Sequence, residues 1–293
     1  MNRSKILEEI QVNVIKLSAP NLPEYKYIPL HQKPSPSVDQ LKRIMQLLRT
    51  IIFPGFFGSE QEAREQSMEY YMGVHLEQLY DLLQEQIFHG LCFEVEGCSD
   101  SKERSSTIAI EFINRIPRIK YLLSTDIKAI LDGDPAAKSL SEIIFCYPAV
   151  QAILHQRVAH SLLKLGVPVI PRIITEIAHS NTGIDIHPGA QIGEYFSIDH
   201  GTGVVIGQTA IIGNHVRLYQ GVTLGAKNFT LDEEGLPIDV PRHPILEDWV
   251  TVYSNASILG RITIGEGSVI GGNIWLTHSV PPNSKVLQSG AVD

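Results

Sequence analysis

The chain has 293 residues, 43% of them hydrophobic, enough to bury a large core in one domain or two. Its formal net charge is −8 with no block of like charge, which excludes nucleic acid as a partner, because binding to a phosphate backbone relies on clustered Lys and Arg. No apolar run approaches the roughly 20 residues that span a bilayer. The mixed start MNRSKILEEIQVNVIKLS is not a signal peptide, and Cys92, Cys98 and Cys146 lack metal-type spacing, so a cytoplasmic protein without membrane contact is expected.

Residues 1–182 are expected to form an all-α N-terminal domain. In SVDQLKRIMQLLRTII, Val38, Leu41, Ile44, Met45, Leu48 and Ile52 recur at threes and fours, as on one helix face. Ser37, with Gln40 three residues later, predicts a capping box at its start. FPGFFG (53–58) then stops the helix. A second helix runs through Met68, Met72, Leu76, Leu79 and Leu83 with Gly90 as its C-terminal stop. Further helices fit 107–131, interrupted near Pro117, and 139–165.

From residue 184 the period changes. Ile186, Ile192, Ile198 and Val204 are six apart. After an offset of two, Ile206, Ile212, Leu218 and Leu224 resume the spacing, and after a gap so do Leu246, Val252, Ile258, Ile264, Ile270 and Leu276. Such a hexapeptide repeat predicts a parallel β-helix over 183–281, in which three hexads close a triangular coil of about 18 residues around an aliphatic interior. Glycines and small residues let its corners turn. The gap, 226–245, is a loop inserted into the solenoid and rich in acids and prolines, and loops of this length are commonly functional. Residues 282–293 form a short tail.

The stretches DIHP (185–188), DHGTG (199–203), VTLGA (222–226), RHP (242–244) and ILG (258–260), with GDPA (133–136) and RVAH (157–160) upstream, make nearly the whole chain resemble the serine O-acetyltransferase family. The resemblance implies an α+β multidomain fold, the helical domain followed by a left-handed β-helix. It also implies transfer of acetyl from acetyl-CoA to the L-serine hydroxyl, giving O-acetyl-L-serine for cysteine biosynthesis. Acetyl-CoA would be a co-substrate, with no cofactor held permanently. A serine hydroxyl does not ionise unaided near neutral pH, and histidine, with an ordinary pKa of about 6.5, suits the base. Carried over by motif, His200 is that base and Asp185 orients it. Asp134 and Asp199 take the polar and ammonium side of serine, Arg242 its carboxylate, and His243 beside them contacts serine or the reacting centre. Ala226, Lys227, Thr251, Ser254 and Gly272 would line the acetyl-CoA groove. An ideal coil stacks Asp185 under Gly203 rather than under His200, so spacing alone does not form the dyad. His215 and His278 read as surface residues, and no metal site is expected, since His155 and His160 are five apart on a helix.

The resemblance further implies a homotrimer, paired into a dimer of trimers, with sites between adjacent subunits. Gln208 stands where many relatives carry Glu, and Pro241 where an acid is common. The terminal Asp293 replaces the isoleucine that relatives insert into O-acetylserine sulfhydrylase, which argues against that complex. Two alternatives stay open: a hexapeptide acyltransferase with another acceptor, and a catalytically silent scaffold.

Overall fold

The computed structural model describes residues 3–18, 34–58, 67–94 and 101–288; Cys98 and the end of the tail, including Asp293, lie outside them. Seven helices come first among these residues: α1 (Arg3–Leu17), α2 (Val38–Ile52), α3 (Met68–Glu94), α4 (Ser101–Gly133), α5 (Leu140–Cys146), α6 (Pro148–Lys164) and α7 (Ile170–Thr182). Fourteen short strands follow, stacked into the three faces of a left-handed β-helix. The first face is β1 (Asp185–Ile186), β4 (Val205–Ile206), β7 (Thr223–Gly225), β10 (Ser257–Leu259) and β13 (Trp275–Leu276). The second is β2 (Gln191–Ile192), β5 (Ile211–Ile212), β8 (Ile245–Leu246) and β11 (Thr263–Ile264). The third is β3 (Ser197–Asp199), β6 (Arg217–Tyr219), β9 (Thr251–Val252), β12 (Val269–Ile270) and β14 (Lys285–Val286).

The helical half departs from the sequence expectation where neighbours outweigh local signals. Ser37 caps α2 by accepting from Gln40 N–H at 3.3 Å, but its own N–H goes to Gln86 Oε1 at 2.7 Å, so the reciprocal half of the capping box does not form. Val38 is exposed while Leu41, Ile44, Met45, Leu48 and Ile52 are buried. Gly90 does not end α3, which continues to Glu94. A Cβ there would come within 3.0 Å of Ile170, so Gly90 serves the close approach of α7. Pro117 does not interrupt α4; its exposed ring faces solvent while Phe112, Ile116 and Ile119 stay in the core and carry the helix through. The expected helix over 139–165 is two, split at extended Tyr147 with Pro148 opening α6.

Thirteen of the fourteen hexad residues are buried in the prism, Ile192 alone being partly exposed. The coil length is not uniform. Val205 pairs with Thr223 and Ile245 with Thr263, 18 positions on, as the period requires. In the first coil, however, Asp185 pairs with Val205, 20 positions on, and Ser197 with Arg217. The two extra residues fall between Asp199 and Val204, where His200, Gly201 and Gly203 all have positive φ. The inserted loop lengthens a later coil, Ile211 pairing with Ile245. Part of that loop folds back on itself through an antiparallel bridge from Leu231 to Pro237. His215 is not a free surface residue: its ring stacks between Tyr195 (4.3 Å) and Trp249 (3.8 Å) at one corner of the prism.

A buried ion pair fastens the helices to the first coil. Arg157 of α6 donates Nε–H and Nη2–H to the two carboxylate oxygens of Asp126 in α4, at 2.7 and 2.8 Å. The same guanidinium donates to Gly193 O at 2.8 Å and Ile192 O at 3.3 Å, and Asp126 accepts Phe196 N–H at 3.0 Å. Both side chains are almost wholly buried. Removing one partner leaves a buried charge uncompensated, so Asp126→Asn or Arg157→Met is expected to cost about 3–5 kcal/mol. Arg118→Ala, which breaks an exposed pair with Glu194, should cost under about 1 kcal/mol. Urea unfolding of the three variants checks this ordering.

Candidate active site

The lengthened first coil pushes one corner of the prism outward, between the third and first faces, and that corner carries Asp199 and His200. His200 is 76% exposed, with Nε2 4.0 Å from Asp199 Oδ1. The C-terminal end of α4 brings Asp134 to the same place: a crevice is lined by Gly133, Asp134, Tyr147, Asp199 and Arg217. Asp134 accepts the Tyr147 hydroxyl at 2.5 Å and Ala136 N–H at 2.8 Å. These two bonds, the Tyr147 one first, hold its carboxyl below the ordinary range, and His200 and Arg217 add to the effect. The same bond pushes Tyr147 up to about 12. Arg217 donates to Gly133 O at 3.2 Å, and a Cβ on residue 133 would lie 1.9 Å from its guanidinium. Glycine lets the Arg217 guanidinium lie against the backbone there; a side chain at 133 would have to displace it. Tyr147 and Arg217 were missed in the sequence because they belong to no motif and reach the crevice only through folding.

Arg242 and His243 sit at a different corner, between the first and second faces, where the inserted loop rejoins the solenoid before β8. Thr209 organises them. Its hydroxyl oxygen accepts the backbone N–H of Arg242 at 2.9 Å and of His243 at 3.1 Å. His243 Nδ1 accepts Thr209 N–H at 3.1 Å and faces the Thr209 hydroxyl at 2.9 Å. With Nδ1 accepting, the neutral ring carries its proton on Nε2. Gly207 makes room for the ring, since a Cβ there would lie 1.9 Å from His243 Cδ2. Burial, then the charges of Arg242, His187 and Arg261, bring His243 down to about 4. Arg242 donates Nη2–H to Gln208 Oε1 at 2.6 Å and Nη1–H to Asp239 Oδ1 at 3.0 Å, and Gln208 Nε2–H reaches Asp239 Oδ2 at 3.2 Å. Asp239 of the inserted loop thus returns a carboxylate to the place where Gln208 brings none.

Asp185 reaches the His200 corner through its backbone, its N–H donating to Val204 O at 2.9 Å. It opens β1 on the outer side of the first face, its carboxylate 3.7 Å from Arg172 Nη1 of α7 rather than against His200. Glu176, His179 and Asp185 gather within reach of one cation, and the Arg172 guanidinium, paired with both Glu176 and Asp185, already supplies positive charge there. Ser254 and Gly272 stack at the same corner as His200, a Cβ on residue 272 meeting Ser254 O at 3.2 Å. Ala226 and Lys227 follow β7 at the Arg242 corner, and Thr251 lies on the third face beside Arg217 and Trp249. Gly203 and Gly207, which mark the two corners, are four residues apart, roughly 13 Å of extended chain. His200 and His243 thus stand at different corners of the prism in one chain.

The ring of His243 should stay neutral until the pH falls to about 4, and Arg242→Gln should raise that midpoint without restoring the ordinary value, because burial is the larger cause. Imidazole chemical shifts followed across a pH titration report both.

No family model matches the chain. It is 48% identical over 264 residues to the plasmid serine acetyltransferase of Synechococcus elongatus, covering 87% of this chain and 82% of that one. Its structure superposes on serine acetyltransferase 1 of Entamoeba histolytica in complex with L-cysteine with a TM-score of 0.73 at 38% identity, over 86% of this chain and 87% of the other. The serine acetyltransferase of Neisseria gonorrhoeae in complex with serine superposes with a TM-score of 0.55 at 26% identity, over 85% and 97% of the two chains. With its helical domain, its β-helix and this degree of identity over most of its length, the chain belongs to the serine acetyltransferase family of acyltransferases.

Proposed function

We propose that the protein transfers acetyl from acetyl-CoA to the L-serine hydroxyl, releasing O-acetyl-L-serine and CoA, with His200 as general base. The observation that carries this reading is the lifted corner: a period slip in the first coil puts an exposed imidazole beside Asp199, which shares a crevice with Asp134 and Arg217. Asp134 is held ionised and Asp199 lies beside it, which suits the serine ammonium. His200 takes the hydroxyl proton as the serine oxygen attacks the thioester carbon. The carbon–sulfur bond then breaks, and the CoA thiolate leaves with the proton from His200. The neighbouring carboxylates stabilise the imidazolium between these steps, and Asp185 is the partner that the family motif assigns to the ring.

The tetrahedral oxyanion needs a donor, and neutral His243 offers Nε2–H, with Arg242 beside it for the serine carboxylate. Because the His200 and His243 corners flank the first face of one chain, we assign the complete site to two copies, the His200 corner of one meeting the His243 corner of the next around a threefold axis. Ser254 and Gly272 on one corner and Ala226 and Lys227 on the other divide in the same way, so acetyl-CoA would lie in that seam. Thr251, on the third face, falls outside it. Among the described residues no helix is long and apolar enough to cross a membrane, and the proposed setting is the cytoplasm.

Thiol release from acetyl-CoA should require L-serine and fall by about 10²–10⁴-fold in His200→Ala. Asp185→Asn and Asp199→Asn, assayed alongside, separate the two carboxylates: loss of kcat marks the partner of the imidazole, and a raised KM for serine marks the ammonium site. Release that is independent of serine, or equal in His200→Ala, would sink the proposal.

A further inference from the structure

We propose that the groove between α4, α6 and β2 is a binding site for a small metabolite carrying oxyanion groups, phosphate or carboxylate, held by Arg115, Lys164 and Ser161 over an apolar floor of Ile119, Leu122 and Ile192. The groove has a volume of about 450 Å³, within the range of small-molecule sites. Its charge is opposite to that of the chain. Arg115, Arg118, Arg157 and Lys164 all line it and no acidic residue does, although the protein carries a net −8. Two of these cations are already matched, Arg157 by buried Asp126 and Arg118 by Glu194 at its edge. Two are not. Arg115 makes one hydrogen bond, from Nη1 to Ser161 O at 3.3 Å, leaving most of its N–H groups free, and Lys164 has no ion pair among the described residues.

Ser161 supplies an independent sign. A helical serine ordinarily returns its hydroxyl to a carbonyl of the preceding turn. Here the hydroxyl of a residue only 8% exposed has no hydrogen-bond partner. Leaving a buried hydroxyl unsatisfied costs about 1–3 kcal/mol, a cost that a ligand oxygen would relieve. The walls are rigid before any ligand arrives: Gln156 donates to Ala190 O at 2.9 Å, His160 Nδ1 holds Pro188 O at 2.8 Å, and the Asp126–Arg157 pair fixes the floor. A second cleft shares Lys164 and Gln191 with this groove and ends at Gln208 and Thr209, the residues that hold Arg242 and His243. An occupant of the groove therefore sits next to the acetyl-transfer machinery without lying in the seam assigned to serine.

Isothermal titration of the full chain at constant ionic strength, with pyrophosphate in one arm and citrate in the other, tests the site. A saturable heat from either probe is expected, weakened about tenfold or more in Arg115→Gln and in Lys164→Gln, as for loss of a charge-assisted hydrogen bond, and unchanged by saturating CoA. The probe that binds identifies phosphate or carboxylate as the natural chemistry. Lys164 is exposed, so its variant keeps the fold, and circular dichroism checks that of Arg115→Gln. No saturable heat from either probe, equal affinity in both folded variants, or displacement by CoA would overturn the assignment. These readouts need no catalytic turnover, so they stand or fall apart from the proposed acetyl transfer.

Discussion

A parallel coil closed on itself every three hexads has room inside for a branched aliphatic side chain from each hexad and, in most, one further buried residue two positions earlier, such as Ala190, Ala210 or Ala256, and the rest of the molecule is arranged around that constraint. The aliphatic residues from Ile186 to Leu276 fill the prism, and each strand bonds to the one a coil above. Such a ladder is repetitive and offers no chemistry by itself. Chemistry enters where the period breaks. Two extra residues lift His200 off the ladder, and the insertion before β8 returns Arg242 and His243 at another corner.

The helical domain matters to the site because it is fixed to the first coil by charge as well as by packing. Burial pushes Asp126 up to about 6, while Arg157 and the Phe196 N–H pull it back. The carboxylate stays ionised at neutral pH and keeps both arms of the guanidinium. From this anchor α4 runs two further turns to Gly133 and Asp134, where Arg217 rises from the third face to meet it. Asp134 and Asp199, which are 65 positions apart in the chain, share a crevice for that reason. The stability of the clamp and the geometry of the crevice are one problem.

Much of this was legible in the sequence. The hexad spacing marked the strands and their inward residues, and even the two-residue offset was visible, although its consequence, an outward corner under His200, was not. The motif residues Asp134, Asp199 and His200 do meet, and so do Arg242 and His243. What the sequence hid is held by tertiary contact. Gly90 reads as a helix stop because nothing local reveals Ile170 against it, and Pro117 reads as a break because nothing local reveals that Phe112, Ile116 and Ile119 of the same helix are held in the core. Thr209, which sets the tautomer of His243, and Asp239, which makes up for Gln208, are ordinary loop residues until the insertion folds back beside them. The carboxylate of Asp185 faces Arg172 of α7 in the single chain, a tertiary contact that no local pattern announces.

In the proposed function one chain carries two halves of a site, and neighbouring copies complete it. In the proposed mechanism neither half has the full complement: the His200 corner would bring carboxylates and the base, and the His243 corner the N–H donor and the guanidinium. The direct measurement is complementation between His200→Ala and His243→Ala chains, co-expressed with different tags and purified as mixed assemblies. Each variant alone should be inactive, and each mixed trimer should recover activity in about one of its three sites, the one in which an intact corner of each kind meets. Mixed assemblies as inactive as their parents would contradict a shared site and place base and donor within one chain.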